Sequence, residues 1–453
     1  MKIYHVADIH LGRRRLDGRL PDSDLADAFS FIADQAVQEG ADALLIAGDL
    51  FDRPQVEPPH LRQAQRILAR LKTANIPVIA IEGNHDKTFI HSNEPTWTHF
   101  LAQDDLLMLL RTVFNADGPI MAPWNSETRA GAYIDLAGIR FVGAGYLGAA
   151  TPHKMQEIAS RLEPDRTHVA LLHAGPDYFV GEGGGFLPED LRALSEKVCY
   201  LALGHIHKPM RHGDWACNPG SPENCELREA AYEWGSDGSP VPRGYAVLKI
   251  DPSHRHRPTS IEICSNPRRP CHRITLDCTP FGNKTKDGAA AFVSAATKMI
   301  REHKPARDAV IDLRLAGKLN LNRIALDHSA ACAEIETAAE VYAVSLDATG
   351  LNVDGYAFSS GSGYSLSRED LEKKAIRELV DRKPLWGVEG HDADFAALFF
   401  ELKEAVRAGK TGEELAELLN QSPLVELVRV SREATQPVLD TALLNEVTME
   451  QPV

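Results

Sequence analysis

Short apolar runs that each end in a polar signature alternate with stretches of helical spacing over the first 210 residues. Lys2–Ala7 is such a run and ends at Asp8; Ala43–Ala47 ends at Gly48-Asp49; Pro77–Ile81 stops before Gly83-Asn84-His85-Asp86. Between them, Leu25, Phe29, Ile32, Ala36 and Val37 recur at three- and four-residue intervals, as do Leu61, Ala64, Leu68 and Leu71. That spacing places each set on one face of a helix. Ile139–Val142, His168–Leu172 and Tyr200–Leu203 read as further strands. Buried strands alternating with helices predict an α/β layer fold with its site beyond the strand ends.

The helical rhythm is lost over residues 214–250, where Asn218 to Pro222 is a loop and Gly244–Ile250 a strand. A β-rich closing section is expected there, with a boundary near residue 266. His272–Leu276, Val310–Leu315 and Val341–Leu346 then read as strands, and Ala289–Glu302 and Ile324–Ala338 as helices. The glycine- and serine-rich stretch from Gly355 to Ser367 reads as a linker. Ser367 and Asp370 before an apolar run look like a helix start, and the remainder is helical. The expected organisation is a first domain over 1–265, a small α+β unit over 266–352, a linker over 353–366 and a helical region over 367–453.

Composition narrows the class. The chain has 453 residues, 43% of them hydrophobic and 25% charged, which excludes disordered and collagen-like sequences. No apolar run approaches the ~18 residues of a membrane span. The start MKIYHVADIH has no leader pattern, so a cytoplasmic, nucleoid-associated protein is expected. Seven cysteines without a CxxC pair suit reduced thiols; Cys264, Cys271 and Cys278, seven apart, are expected to be buried. The net charge of −15 divides into −9 over residues 1–265, +2 over 266–350 and −8 over 351–453. The middle unit is therefore basic within an acidic chain, and bound cations would offset part of the acidity of the first domain.

Five polar signatures follow predicted strands: Asp8-Ile9-His10, Gly48-Asp49-Leu50-Phe51-Asp52, Gly83-Asn84-His85-Asp86, His173, and Gly204-His205-Ile206-His207. Asp8 and His10 leave a strand end on the same side. A carboxylate with an imidazole suits manganese, iron or zinc. The two oxygens of Asp49 can bridge two cations, and Asn84 adds a neutral oxygen. His173, His205 and His207 bring the set to seven ligand-type residues, enough for two ions that clamp a phosphoryl displacement. Each signature alone is ordinary loop chemistry. Five in order, each after an apolar strand, are not.

The ordered set is similar to that of the calcineurin-like metallophosphoesterase superfamily. Within it, DIHLG, GDLFD, GNHD and GHIHKP resemble the SbcD-type family of double-strand-break nucleases. The resemblance implies a metallophosphoesterase β-sandwich flanked by helices, an α+β capping domain and a helical C-terminal region. It also implies two Mn2+ ions, with Mg2+, Fe2+ or Zn2+ as alternatives. One ion would be held by Asp8, His10, Asp49 and His207, the other by Asp49, Asn84, His173 and His205. The cations would activate a water as nucleophile. His85 would act on the leaving oxygen or the phosphate charge, while Asp86 and Asp52 would orient nearby groups. Many relatives carry proline soon after GNHD; here the chain runs Lys87 to Ser92 without one.

The implied activity is 3′-to-5′ exonuclease action on duplex ends and endonuclease action on single strands or hairpins. An SbcC-type ABC ATPase with a coiled coil is the implied partner, clasped by the C-terminal helices. A homodimer is expected through the helices around 25–37 and 60–73. Arg13, Arg14 and Arg15 beside the first signature suit phosphate contacts. Arg268, Arg269 and Lys284 contribute to the basic middle unit and suit DNA. Two other readings remain: a phosphodiesterase or phosphatase on small molecules or phosphoproteins, and a non-catalytic DNA-end scaffold. The phosphatase signatures GDxVDRG and GNHE are absent, and no ligand is lost as a scaffold would allow.

Overall fold

A computed structural model describes residues 1–87, 95–180, 185–252 apart from 236 and 238, 257–281, 288–317, 327–351, 392–407 and 417–424. It divides into two units, 1–355 and 356–453.

Two mixed sheets form the first part of the larger unit. The seven-stranded sheet runs in the order Ser260–Ser265, Gly244–Lys249, Lys2–Val6, Ala43–Ala47, Val78–Ile81, Met108–Leu110 and Ala130–Gly131. The six-stranded sheet runs Met210–His212, Ala216–Asn218, Tyr200–Gly204, Thr167–His173, Ile139–Gly145 and Tyr133–Leu136. Lys2–Val6, Ala43–Ala47 and Val78–Ile81 pair in parallel, as do Ile139–Gly145, Thr167–His173 and Tyr200–Gly204.

Side chains alternate between the faces of these strands. Ile3, Leu45, Ile79 and Ile81 turn inward against Phe141, Val169, Leu171 and Tyr200 of the other sheet. Tyr4, Leu44, Ile46 and Val78 turn outward onto Leu25, Phe29, Ile32, Leu68 and Leu71, carried by the helices Ser23–Gln38 and Pro58–Thr73. On the far side, Ala170, Leu172, Leu201 and Leu203 meet Met155 and Ile158 of the helix Thr151–Arg161, and Leu191 and Leu194. Both faces of both sheets are covered, which is why their strands read as unbroken apolar runs. Each large aliphatic side chain so buried contributes about 1.5–3 kcal/mol. Two sheets packed face to face between helices make this the α/β layer fold that the chain pattern predicts.

The expected β-rich stretch over 214–250 is only partly so. Its strands are Ala216–Asn218 and Gly244–Lys249, but Leu227–Glu233 is a 3₁₀ helix with Glu229 and Ala230 inward. A run with two inward positions has no apolar stripe to reveal it. Further along, Cys271–Asp277, Val310–Gly317 and Ala343–Leu351 make a parallel three-stranded sheet. The helices Gly288–Glu302 and His328–Ala339 close its core through Phe292, Ala296, Ile300 and Ile335. Of the three spaced cysteines, Cys278 is buried and Cys264 and Cys271 are half-buried.

In the smaller unit, Asp392–Arg407 is helical. The linker expected over 353–366, the helix start at Ser367 and Asp370, and Lys284 lie outside the described residues, as does the run after Lys87. Among the described residues, no helix is long and apolar enough to cross a membrane.

Candidate metal centre

The parallel strands end on one side, and the five signatures meet there. The segment after Lys2–Val6 is laced to the one after Ala43–Ala47 by backbone bonds. Asp8 N–H donates to Gly48 O, Ile9 and His10 N–H to Asp49 O, and Leu11 N–H to Leu50 O, at 2.9–3.1 Å. Four residues of the site adopt a backbone conformation that side-chain-bearing residues seldom take. Asp8, His10, Asp49 and His205 have φ of 54°, 52°, 53° and 86°. Strain of this kind costs on the order of 1–3 kcal/mol per residue and gathers at functional sites. Two glycines give the room. A Cβ on Gly83 would lie 2.0 Å from Asp49 Oδ1, and one on Gly48, whose φ is +91°, 2.3 Å from His173 Nδ1.

Asp49 stands between two groups of donors. On one side, His10 Nε2 is 3.6 Å from Asp49 Oδ2 and 3.1 Å from His207 Nε2. On the other, His173 Nε2 is 3.2 Å from Asp49 Oδ2 and 3.1 Å from Asn84 Oδ1, which is also 3.0 Å from His205 Nδ1. Asp8 is fully buried, and its carboxylate accepts from the His205 N–H. Asp8, His10 and Asp49 hold ligand atoms close enough for one ion.

Tautomers are set from behind. His173 Nδ1 faces Ala47 O at 2.8 Å and His207 Nδ1 faces Glu229 Oε1 at 2.7 Å. Each nitrogen donates there, leaving the Nε2 lone pair directed into the centre, as metal-bound histidines require. Glu229 comes from the unforeseen 3₁₀ helix; no local pattern in the sequence points to it.

The site gathers buried carboxylates and imidazoles whose charges depend on one another. Burial works against ionised Asp49, yet His173 and His10 hold its carboxyl far below the usual range. Burial likewise works against charged His173, but Asp49 and Asp8 bring it up to about 9. Burial and the neighbouring His173 push His205 down to about 3. Without metal, a proton on one imidazole balances the carboxylates. The Nε2 atoms of His10 and His207 face each other at 3.1 Å beside the Asp49 carboxylate, an arrangement of lone pairs that suits a divalent cation.

The other expected residues fall in distinct places. His85 lies beside the centre: its ring is 4.7 Å from that of His10, and its Nδ1 donates to Asp52 O at 2.8 Å. Asp52 Oδ1 accepts from Arg13 at 2.9 Å and lies 3.4 Å from His10 Nδ1. Asp86 faces the backbone, accepting from the N–H groups of Asp49, Phe51 and Gly83 at 2.8–3.1 Å. Burial, with Asp49 nearby, pushes its carboxyl up to about 7. Tyr146, absent from the sequence reading, sets its ring 5.3 Å from His205.

The arginines expected to meet DNA are mostly engaged within the protein. Arg15 is buried and bonds Asp24, Pro21 O and Asn224 O. Arg269 also grips Asp24, while Arg268 bonds Glu233 and Arg243 O. Arg13 is shared between Asp52 and Glu226. Their acidic partners lie far away in sequence, so the arginine run gave no sign of them. Arg14 is exposed, on a cavity of about 290 Å³ that Arg53 and Gln55 also line.

Residues 1–209 match the calcineurin-like phosphoesterase family and form a domain of that kind. Three similar proteins bear the name DNA double-strand break repair protein Mre11. That of Archaeoglobus fulgidus is 32% identical over 237 residues, 51% of this chain and 52% of the relative. That of Aeropyrum pernix is 29% identical over 294 residues, 62% and 65%. That of Saccharolobus solfataricus is 30% identical over 216 residues, 47% and 50%. The chain thus spans between half and just under two thirds of these relatives' lengths.

Proposed function

We propose that this protein is a two-metal DNA nuclease acting in double-strand-break repair. The observation that carries the reading is Asp49, set between His10–His207 on one side and His173–His205–Asn84 on the other, with His85 beside His10 and donating its backbone N–H to Asp49. The names of the similar proteins support the choice of DNA as substrate.

Asp8, His10, Asp49 and His207 would hold one ion, and Asp49, Asn84, His173 and His205 the second. Two bound divalent ions, Mn2+ in this reading, supply an activated water and neutralise charge on the phosphate. The residues do the rest. Glu229 and Ala47 O hold the imidazoles of His207 and His173 in the tautomer that presents Nε2. His85, fixed through Nδ1–H on Asp52 O, would act with both ring nitrogens protonated, passing the Nε2 proton to the leaving 3′-oxygen and ending as the neutral Nδ1–H imidazole. Asp86 holds the two loops in register. Arg14 and Arg53, at the cavity beside the centre, suit backbone phosphates.

In the same reading the enzyme shortens duplex ends 3′ to 5′ and cuts single strands and hairpins. The sheet over 271–351 caps the DNA. The chain works with an SbcC-type coiled-coil ATPase and pairs with a second copy through the helices Ser23–Gln38 and Pro58–Thr73. The test is digestion of an end-labelled duplex with manganese, magnesium or EDTA, alongside p-nitrophenyl phosphate esters. Manganese-dependent shortening from the 3′ end is expected. Hydrolysis of the small esters without DNA cleavage would assign a small-substrate phosphodiesterase instead.

A further inference from the structure

Beside the centre lies an apolar patch that neither the metal site nor the core uses. Tyr178 is 75% exposed and Phe179 41%. Their rings are 5.0 Å apart and tilted by 45°, so both present area to solvent. The Tyr178 hydroxyl points to Met210 Sδ at 3.9 Å, and the exposed Lys208 ammonium lies 5.8 Å from the Phe179 ring. Exposing two neighbouring aromatic rings is costly for a surface with no ligand.

Position identifies the occupant. Tyr178 stands five residues after His173, and Lys208 directly follows His207. The two segments also touch. A Cβ on Gly175 would lie 2.3 Å from Ile206 Cγ1 and 3.3 Å from Val180 Cγ2, so the side chains on either side of the patch close on one point. The aromatic pair is thereby anchored to the loop that carries His205 and His207. A strand held by its phosphate at the centre would run past this loop, within reach of the rings for a base and of Lys208 for an adjoining phosphate. Aromatic faces beside a cation are the chemistry that binds unpaired bases without regard to sequence.

We infer that Tyr178 and Phe179, with Lys208, form a stacking platform for an unpaired base next to the scissile phosphate. The inference rests on the nuclease reading and sharpens it: the strand at the centre is single, so duplex ends must fray before they are cut. Tyr and Phe serve here because their stiff rings lose little freedom on stacking.

The test uses the full chain with manganese, a labelled single-stranded oligodeoxynucleotide, and an abasic strand of equal length. Wild type is expected to show a lower KM for the base-bearing strand than for the abasic one. In the Tyr178→Ala/Phe179→Ala variant, KM for the base-bearing strand rises roughly tenfold with kcat unchanged. KM for the abasic strand stays where it was, which also shows that the variant is folded. Tyr178→Trp retains the wild-type KM. An unaltered KM on the base-bearing strand, or an equal loss on both strands, overturns the platform and assigns the patch to another partner. A wild type that hydrolyses bis(p-nitrophenyl) phosphate but neither strand overturns the nuclease reading, and the platform with it.

Discussion

Glu229 Oε1 accepts a 2.7 Å hydrogen bond from Nδ1 of His207, and so the carboxylate decides which nitrogen of that histidine faces the centre. The same carboxylate accepts from Cys225 N–H at 2.9 Å through its other oxygen, which holds it in place. Partners of this kind are typically worth 10–100-fold in metal affinity. Glu229→Gln is therefore expected to weaken manganese binding by about that range while leaving the far-ultraviolet circular dichroism unaltered. Isothermal titration with manganese checks it; unaltered affinity would show that Glu229 only packs.

Asp86 supports the site from below. Its carboxylate takes three backbone N–H groups from two loops, and each orphaned buried donor costs about 1–3 kcal/mol. Asp86→Ala should lower unfolding free energy by at least ~3 kcal/mol. Urea denaturation of metal-free protein measures it. A loss below 1 kcal/mol would mean that the loops hold their register without this clamp.

The centre was largely legible in the sequence, because each donor sits directly after an apolar strand and strand ends converge by geometry. The backbone of Asp8, His10, Asp49 and His205 was not: hydrophobic periodicity says nothing about a positive φ. Nor was Glu229, in a short 3₁₀ helix with no apolar stripe. Helices 23–38 and 58–73 were readable to within a few residues because they have one buried face each. The acidic partners of the arginines were hidden for a different reason. Arg15 and Arg269 share Asp24, 245 residues from Arg269, and no local pattern reports a pairing of that span.

That shared pair has a pH signature. Burial works against ionised Asp24, but Arg269 and Arg15 hold its carboxyl below the usual range. A depressed folded pKa gives stability that is present above the unfolded value near 3.8 and lost as pH falls through the folded one. Thermal unfolding between pH 6 and pH 3 should therefore show wild type losing its advantage over Asp24→Asn as the pH drops. A constant difference between the two proteins would contradict the assignment.

Arg14 supplies an electrostatic prediction. It is exposed at the cavity beside the centre, and a side chain that neutralises one phosphate releases about one counterion. For Arg14→Ala, the slope of log affinity against log salt on single-stranded DNA should be smaller in magnitude by roughly 0.7. Fluorescence anisotropy at several salt concentrations gives the slope. An unaltered slope would remove Arg14 from the DNA path.

In the proposed mechanism His85 acts on the leaving oxygen while the seven other residues hold the metals. The most direct measurement pairs metal content with cleavage of a 3′-end-labelled duplex for wild type and His85→Ala. Two manganese ions are expected in both proteins, with a cleavage rate reduced by about 10²–10⁴-fold in the variant, the usual contribution of a positioned acid or base. Undiminished cleavage by His85→Ala, or cleavage lost together with a metal ion, would contradict it.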